Sequence, residues 1–290
     1  MVEAAAERDT NAPTQSYDPA HFAPLFAAED RHFWFRARNR VIATLVRQIA
    51  KQWSPGYRVL EVGCGTGNVL RVLDRVCRSG HVVGMDLFAE GLHFAQRRTT
   101  APLVQGDMHR APFAVPFDMI GLFDVLEHLP DDRRVLADLH GMLQPHGALI
   151  LSVPAHPSLW SYFDEAACHC RRYSMDELES KLREAGFTIE YATEFMSVLF
   201  PLVWGGRRVA ALLNRNSEQQ SAAQKNIEMS QQELRIVPVV NGLLSAILRQ
   251  EERLVTRRRR LPCGTSLLAI ARKSNGVANE LAPERNASSS

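Results

Sequence analysis

One run of residues constrains this chain more than any other: Val59-Leu60-Glu61-Val62-Gly63-Cys64-Gly65-Thr66-Gly67. Branched and apolar residues lead into an acid, then into glycines at alternate positions. The pattern predicts a buried strand ending in a tight turn, with a helix starting near Asn68. Glycines there let the backbone come against a ligand with no Cβ in the way. The spacing also excludes. A fingerprint that seats a pyrophosphate on a helix N-terminus is G-x-G-x-x-G, whose last glycine packs helix on strand. Here the spacing is G-x-G-x-G, with Glu61 just before it.

The acids that follow narrow the choice. His81-Val82-Val83-Gly84-Met85-Asp86 reads as a second short strand. Its Asp86 falls roughly twenty residues after the glycines, where a ribose-binding carboxylate stands in sheets of this kind. One carboxylate offers two acceptor oxygens to two neighbouring hydroxyls. Pro102 to Met108 gives a third strand with Asp107 at its carboxyl end, and Phe117-Asp118-Met119-Ile120-Gly121-Leu122-Phe123-Asp124 a fourth. Each acid alone also suits a strand-end turn or a helix cap. In series they mark the carboxyl edge of an open α/β sheet, where ligands bind.

Taken together, these motifs resemble class I S-adenosylmethionine-dependent methyltransferases. The resemblance covers residues 33–273. It implies S-adenosyl-L-methionine as cofactor, with Glu61 near its ammonium and Gly63, Cys64, Gly65 and Gly67 forming the loop against it. Asp86 and Leu87 would lie at the ribose, Asp107 and Met108 at the adenine, and Asp124 at the fourth strand's exit. The run Asp124-Val125-Leu126-Glu127-His128-Leu129 is similar to an acid-x-x-Glu-His-Leu run of many small-molecule members. Members acting on adenine or glutamine usually carry Asn/Asp-Pro-Pro-aromatic there, and cytosine carbon methyltransferases a Pro-Cys nucleophile; this exit has neither. Pro262-Cys263 lies far downstream and reads as a turn. The fold implied is a seven-stranded Rossmann-like sheet, six strands parallel and the seventh antiparallel, with a helical insertion between strands six and seven. Residues 147–154 supply strand five, 187–195 strand six and 266–272 strand seven. Ser174-Met175-Asp176-Glu177 is a capping box opening a helix that Gly186 stops.

With 290 residues, 46% of them hydrophobic, the chain can bury one large core. A net charge of +2 carries no nucleic-acid signature. Five scattered cysteines suit reduced thiols, and 1–18 shows no secretory pattern, so a cytoplasmic setting is expected. The expected division is an N-terminal cap over 1–35, a core over 36–195 and 262–274, a helical insertion over 196–261 and a disordered tail over 275–290.

The insertion is the departure from a minimal fold of this kind. The apolar stretch 195–204 falls short of the ~20 residues that span a bilayer. Arg207 and Arg208 follow, then a polar stretch from Asn214 to Gln232. Pro238 opens an amphipathic helix carrying Val240, Leu243, Leu244, Ile247, Leu248, Leu254 and Val255 largely on one face, and Arg257 to Arg260 end it. One reading is a cap packed on the sheet, with arginines favoured at a helix C-terminus. The other is a lid for a greasy acceptor, resting peripherally on the inner face of a membrane with anionic lipid.

Two constellations remain. The aromatic-basic segment from Glu29 to Arg38 precedes the first expected helix, and its arginines would meet the cofactor's carboxylate or simply be solvated. The loop after strand five, Trp160 to Tyr173, mixes Asp164, His169, Arg171 and Arg172. A catalytic His169 with Asp164 as its partner is one reading; a structural loop whose arginines pair with acids on the sheet rim is the other. Cys168-His169-Cys170 lacks zinc spacing, so no metal is expected. The acceptor is expected to be a small or lipid-like molecule, methylated on oxygen or nitrogen rather than carbon. A nicotinamide-dependent oxidoreductase and a non-catalytic membrane-associated binding protein are the alternatives.

Overall fold

The architecture comes from a computed structural model that describes residues 17–202, 204–205 and 237–274. The sheet alternation in the sequence decides it. Along β1 (Arg58–Val62), Val59 faces one hydrophobic cluster while Leu60 and Val62 face another. The same division holds in β4 (Phe117–Phe123), with Met119 against Ile120 and Leu122, and in β5 (Leu143–Pro154), with Ile150 against Leu149 and Leu151. Both sheet faces are therefore apolar and both must be covered by helices.

Seven strands run in the order β3-β2-β1-β4-β5-β7-β6, with β2 at His81–Asp86, β3 at Leu103–Gln105, β6 at Phe187–Phe195 and β7 at Ser266–Lys273. β7 is antiparallel to both neighbours, and the other pairings are parallel. The expected fold class is what the chain adopts. After β1 the chain winds outward through β2 and β3, then returns to place β4 on β1's other side. That reversal is the switch point where an open sheet leaves a crevice for ligand.

The helices are α1 (Phe22–Glu29), α2 (Phe33–Ala50), α3 (Leu70–Val76), α4 (Ala89–Ala95), α5 (Asp132–Met142), α6 (Tyr162–Ala166), α7 (Met175–Glu184) and α8 (Pro238–Thr256). α2 and α3 cover one face of the sheet, α5 and α7 the other. The segment from Glu29 to Arg38 does not precede the first helix. Glu29 ends α1 and Phe33 starts α2, so Arg38 sits in α2's second turn.

Of the insertion, residues 196–202, 204–205 and 237–261 are described; Arg207, Arg208 and Asn214 to Gln232 lie outside the described residues, as do 1–16 and 275–290. α8 packs chiefly on α2 and more lightly on β6, where the Tyr191 hydroxyl donates to the Val255 carbonyl. Asn241 Oδ1 accepts from the Phe33 backbone N–H at 2.7 Å, Arg40 pairs with Glu252 at 2.6 Å, and Gln48 donates to the Thr256 carbonyl at 2.9 Å. Partner numbers rise together, so the two helices run side by side in one direction. Glu251 accepts backbone N–H donors from Met196 and Ser197, tying the start of the insertion to its last helix. The apolar residues of α8 do not share a single buried face. Leu248 and Val255 are buried, whereas Val240, Leu243 and Leu254 are exposed. No helix among the described residues is long and apolar enough to cross a membrane.

Candidate functional site

The glycine turn holds the centre of the site. Gly63, Gly65 and Gly67 take φ of 68°, 47° and 74°, where a side chain is strained. A Cβ on Gly63 would stand 2.5 Å from Val125 Cγ2, and one on Gly67 would stand 2.9 Å from the Ala95 Cα. These two glycines allow close packing of the β4 exit and of α4. Gly65 lies beside Asp86: its N–H donates to Oδ2 at 2.7 Å, while the Phe88 N–H donates to Oδ1 at 2.9 Å. Each Asp86 oxygen keeps a lone pair for a further donor. Burial pushes the Asp86 carboxyl above its ordinary value, against the pull of these backbone donors.

Glu61 is buried between the glycine turn and α2, and its Oε2 has no hydrogen-bond partner among the described residues. Burial raises its carboxyl well above the usual range, with the Arg38 charge opposing. An acid in that state favours a cationic ligand group. Arg38 is buried too, and Asp124 clamps it. Asp124 is itself left-handed at φ 55° and accepts from Ser152 Oγ at 3.1 Å. Asp107 caps a short 3₁₀ turn through the His109 N–H at 2.9 Å, so the capping alternative holds for one of its oxygens.

One cavity of about 590 Å³ joins these groups. Glu61, Gly63, Cys64, Gly65, Asp86, Leu87, Asp107, Met108 and Asp124 all line it; Gly67 alone of the expected cofactor residues does not. The cavity continues to Glu127, His128 and His169. His169 Nδ1 lies 2.9 Å from Asp164 Oδ1, so the expected pair is brought together. Asp164 has further duties that the sequence did not reveal. Arg172 Nε donates to the same oxygen at 2.7 Å, and Oδ2 accepts the Ser161 N–H at 2.9 Å to close a capping box on α6. Burial opposes its charged form, yet His169 and Arg172 hold the Asp164 carboxyl below its ordinary value. Arg171 pairs with Asp132 at 2.6 Å, so both arginines of the loop do meet acids.

Glu127 and His128 complete this end. Burial, and then the charge of Asp124, raise the Glu127 carboxyl well above its usual range. Burial, and then His169, push the His128 imidazole down to about 3. Both residues stand in the Glu-His-Leu run, which was the signal for them. Tyr17 had no such signal, and Glu29 stood only at the edge of the aromatic-basic segment. Glu29 accepts from Thr66 Oγ1 at 2.5 Å and pairs with Arg98, fastening α1 over the glycine turn. Tyr17 packs its ring 6.0 Å from Phe88 and 5.4 Å from His128, bridging the two ends of the cavity.

Comparison with known proteins agrees with this geometry. A family model described as a methyltransferase domain matches residues 29–192. A probable S-adenosylmethionine-dependent methyltransferase of Mycolicibacterium smegmatis is 28% identical over 165 residues, 56% of this chain and 62% of that one. A ubiquinone biosynthesis O-methyltransferase of Hahella chejuensis is 33% identical over 105 residues, 34% and 43% of the two chains. A phthiotriol/phenolphthiotriol dimycocerosates methyltransferase of Mycobacterium leprae is 31% identical over 137 residues, 46% and 48%. The matches thus span roughly half the length of these curated relatives. Among solved structures, a putative sarcosine dimethylglycine methyltransferase from Galdieria sulphuraria superposes with a TM-score of 0.57 at 15% identity, covering 90% of this chain and 99% of that one. The plantazolicin methyltransferase in complex with SAH (S-adenosylhomocysteine) gives 0.53 at 15%, covering 88% and 90%. At that identity the two structures speak for the fold. The family match takes in most of the sheet and both ends of the cavity, and it sets the nicotinamide alternative aside: the chain belongs to the methyltransferase domain family, in the class I S-adenosylmethionine-dependent group whose motifs it carries.

Proposed function

We propose that this chain methylates an oxygen or nitrogen of a lipid-like acceptor and works at a lipid surface. The observation that carries the reading is the second apolar stripe of the insertion. Val239 is 82% exposed and Leu243 61%, and Val237, Val240 and Leu254 are exposed beside them in sequence or on the same helix. Exposed apolar area costs ~25 cal/mol per Å² in water, so a stripe of this kind favours a partner phase. Relatives named for ubiquinone biosynthesis and for dimycocerosates support an acceptor with a large apolar part. The arginine cluster contributes less than its composition suggests. Arg258 pairs with Glu190 and Arg260 lies 4.0 Å from Glu179, which leaves Arg257 and Arg259 for anionic headgroups.

Methyl transfer is a displacement at a sulfonium carbon whose leaving group is already good. Alignment and exclusion of water are the main tasks of the protein. Glu61 would hold the cofactor's ammonium, Arg38 its carboxylate and Asp86 its ribose hydroxyls. At the far end, His169, oriented by Asp164, faces the acceptor. It takes a proton when the acceptor is a hydroxyl or a protonated amine.

Transfer of label from S-adenosylmethionine into a lipid extract tests the reading directly. Asp86→Ala should weaken S-adenosylhomocysteine binding at least tenfold with the fold intact, since hydrogen bonds to a charged group contribute roughly 1.5–3 kcal/mol each. His169→Ala should lower turnover and leave that affinity near normal. Label appearing only in polar metabolites, with no sedimentation on anionic vesicles, would reduce the insertion to a packed cap.

A further inference from the structure

We propose that Glu127, His128 and His169 form a binding site for a divalent first-row cation in the wall of the acceptor end of the cavity. Its role there rests on the methyltransferase reading; its existence does not. One ligand atom from each of the three lies within 4.8 Å of the other two, and His169 Nε2 is 4.0 Å from Glu127 Oε1. Two ligands of one ion, each about 2.0–2.2 Å from it, stand roughly 3–4 Å apart. Small side-chain rotations close the difference.

Three observations besides proximity point to an ion. Glu127 is 1% exposed, and its Oε2 has no hydrogen-bond partner among the described residues. A buried carboxylate in that position is costly unless a cation or a donor reaches it. His128 Nδ1 is likewise buried and without a partner. Finally, His169 is already oriented as metal-binding histidines usually are. Its Nδ1 meets the Asp164 carboxylate at 2.9 Å, so Nε2 turns toward Glu127. Asp164 is in turn fixed by Arg172 and by the α6 capping box.

The sequence predicts no metal at Cys168-His169-Cys170; the site proposed here departs from that at His169, and neither cysteine belongs to its cluster. What adjacency in the sequence does not provide, the fold does, by laying the loop after β5 over the Glu-His-Leu run. Two imidazoles and one carboxylate suit Mn²⁺, Fe²⁺ or Zn²⁺ better than Mg²⁺ or Ca²⁺, which prefer oxygen sets. Three ligands from the cavity wall leave positions open toward the acceptor. An ion there would hold an acceptor oxygen and ease loss of its proton. His169 would then serve as a ligand, and the role of base would belong to the ion-free protein only.

The test uses the full chain without a histidine tag, with free Mn²⁺ counted by electron paramagnetic resonance and S-adenosylhomocysteine binding measured on the same samples. The expected result is one saturable Mn²⁺ per chain, displaced by Zn²⁺. Glu127→Gln and His169→Gln should each weaken it at least tenfold while S-adenosylhomocysteine binding persists, and Cys170→Ser should leave it unchanged. No stoichiometric Mn²⁺ or Zn²⁺ in the parent overturns the site, as does full retention in both variants. Loss of S-adenosylhomocysteine binding in the parent would instead count against the methyltransferase reading and leave the metal result standing.

Discussion

α2 and α8 are near twins in length, 18 and 19 residues, and lie side by side, yet they treat their apolar residues differently. α2 buries Ile42, Leu45, Val46 and Ile49 completely against the sheet and carries Arg38 into the cavity. α8 buries two apolar residues, Leu248 and Val255, together with the polar Ser245 and Glu251. It is fastened chiefly by side-chain hydrogen bonds to the backbone, and it leaves a row of valines and leucines in water. One helix joins the core along its whole length. The other joins it through Leu248 and Val255, and on the reading proposed above its remaining apolar face meets a lipid surface.

Substitutions can break or sharpen that contrast. Leu45→Ala, in the fully buried row of α2, should cost about 2–5 kcal/mol in denaturant unfolding. A loss below about 1 kcal/mol would mean that α2 is no more central than α8. Glu251→Ala should rank next, at roughly 2–3 kcal/mol, because it strands the Met196 and Ser197 N–H groups that the carboxylate accepts. Asn241→Ala removes the clamp onto Phe33 N–H and the Arg31 carbonyl and should cost about 1–2 kcal/mol. Proteolysis between α7 and β7 would rise with it if α8 hangs on this clamp. Smallest in stability, Val239→Ser with Leu243→Ser should change unfolding by no more than about 0.5 kcal/mol per site. The same pair should reduce sedimentation with anionic vesicles. A large stability loss would place that stripe inside the protein rather than on an exposed side.

Much of the frame was legible because its signals are short-range. A strand running into glycines, acids at successive strand ends and a β-strand alternation are all read within ten residues. The His169–Asp164 contact was legible for the same reason, since both stand in one loop. Arg38–Asp124 and Glu29–Arg98 were not, because only the closed fold brings α1 and α2 over the sheet edge. Nor could periodicity tell which arc of α8 is buried. Its apolar residues form one broad arc of which only an edge is buried, and the neighbour that selects that edge is α2, some two hundred positions away. Asp164 shows the opposite limit. Its titratable partner was evident, while its work as an α6 cap and an Arg172 anchor depends on side-chain geometry that no pattern records.

Tyr17 has a thermodynamic consequence. Its ring is a shared wall, against Phe88 near Asp86 and against His128, which on the proposed reading stands at the acceptor end. A ligand that shifts this ring at one end alters the room and the contacts available at the other. Linkage makes such an effect reciprocal: whatever factor the cofactor applies to acceptor affinity, the acceptor applies to cofactor affinity. If the ring couples the two ends in this way, Tyr17→Ala should bring the paired affinities, measured together and apart, toward independence.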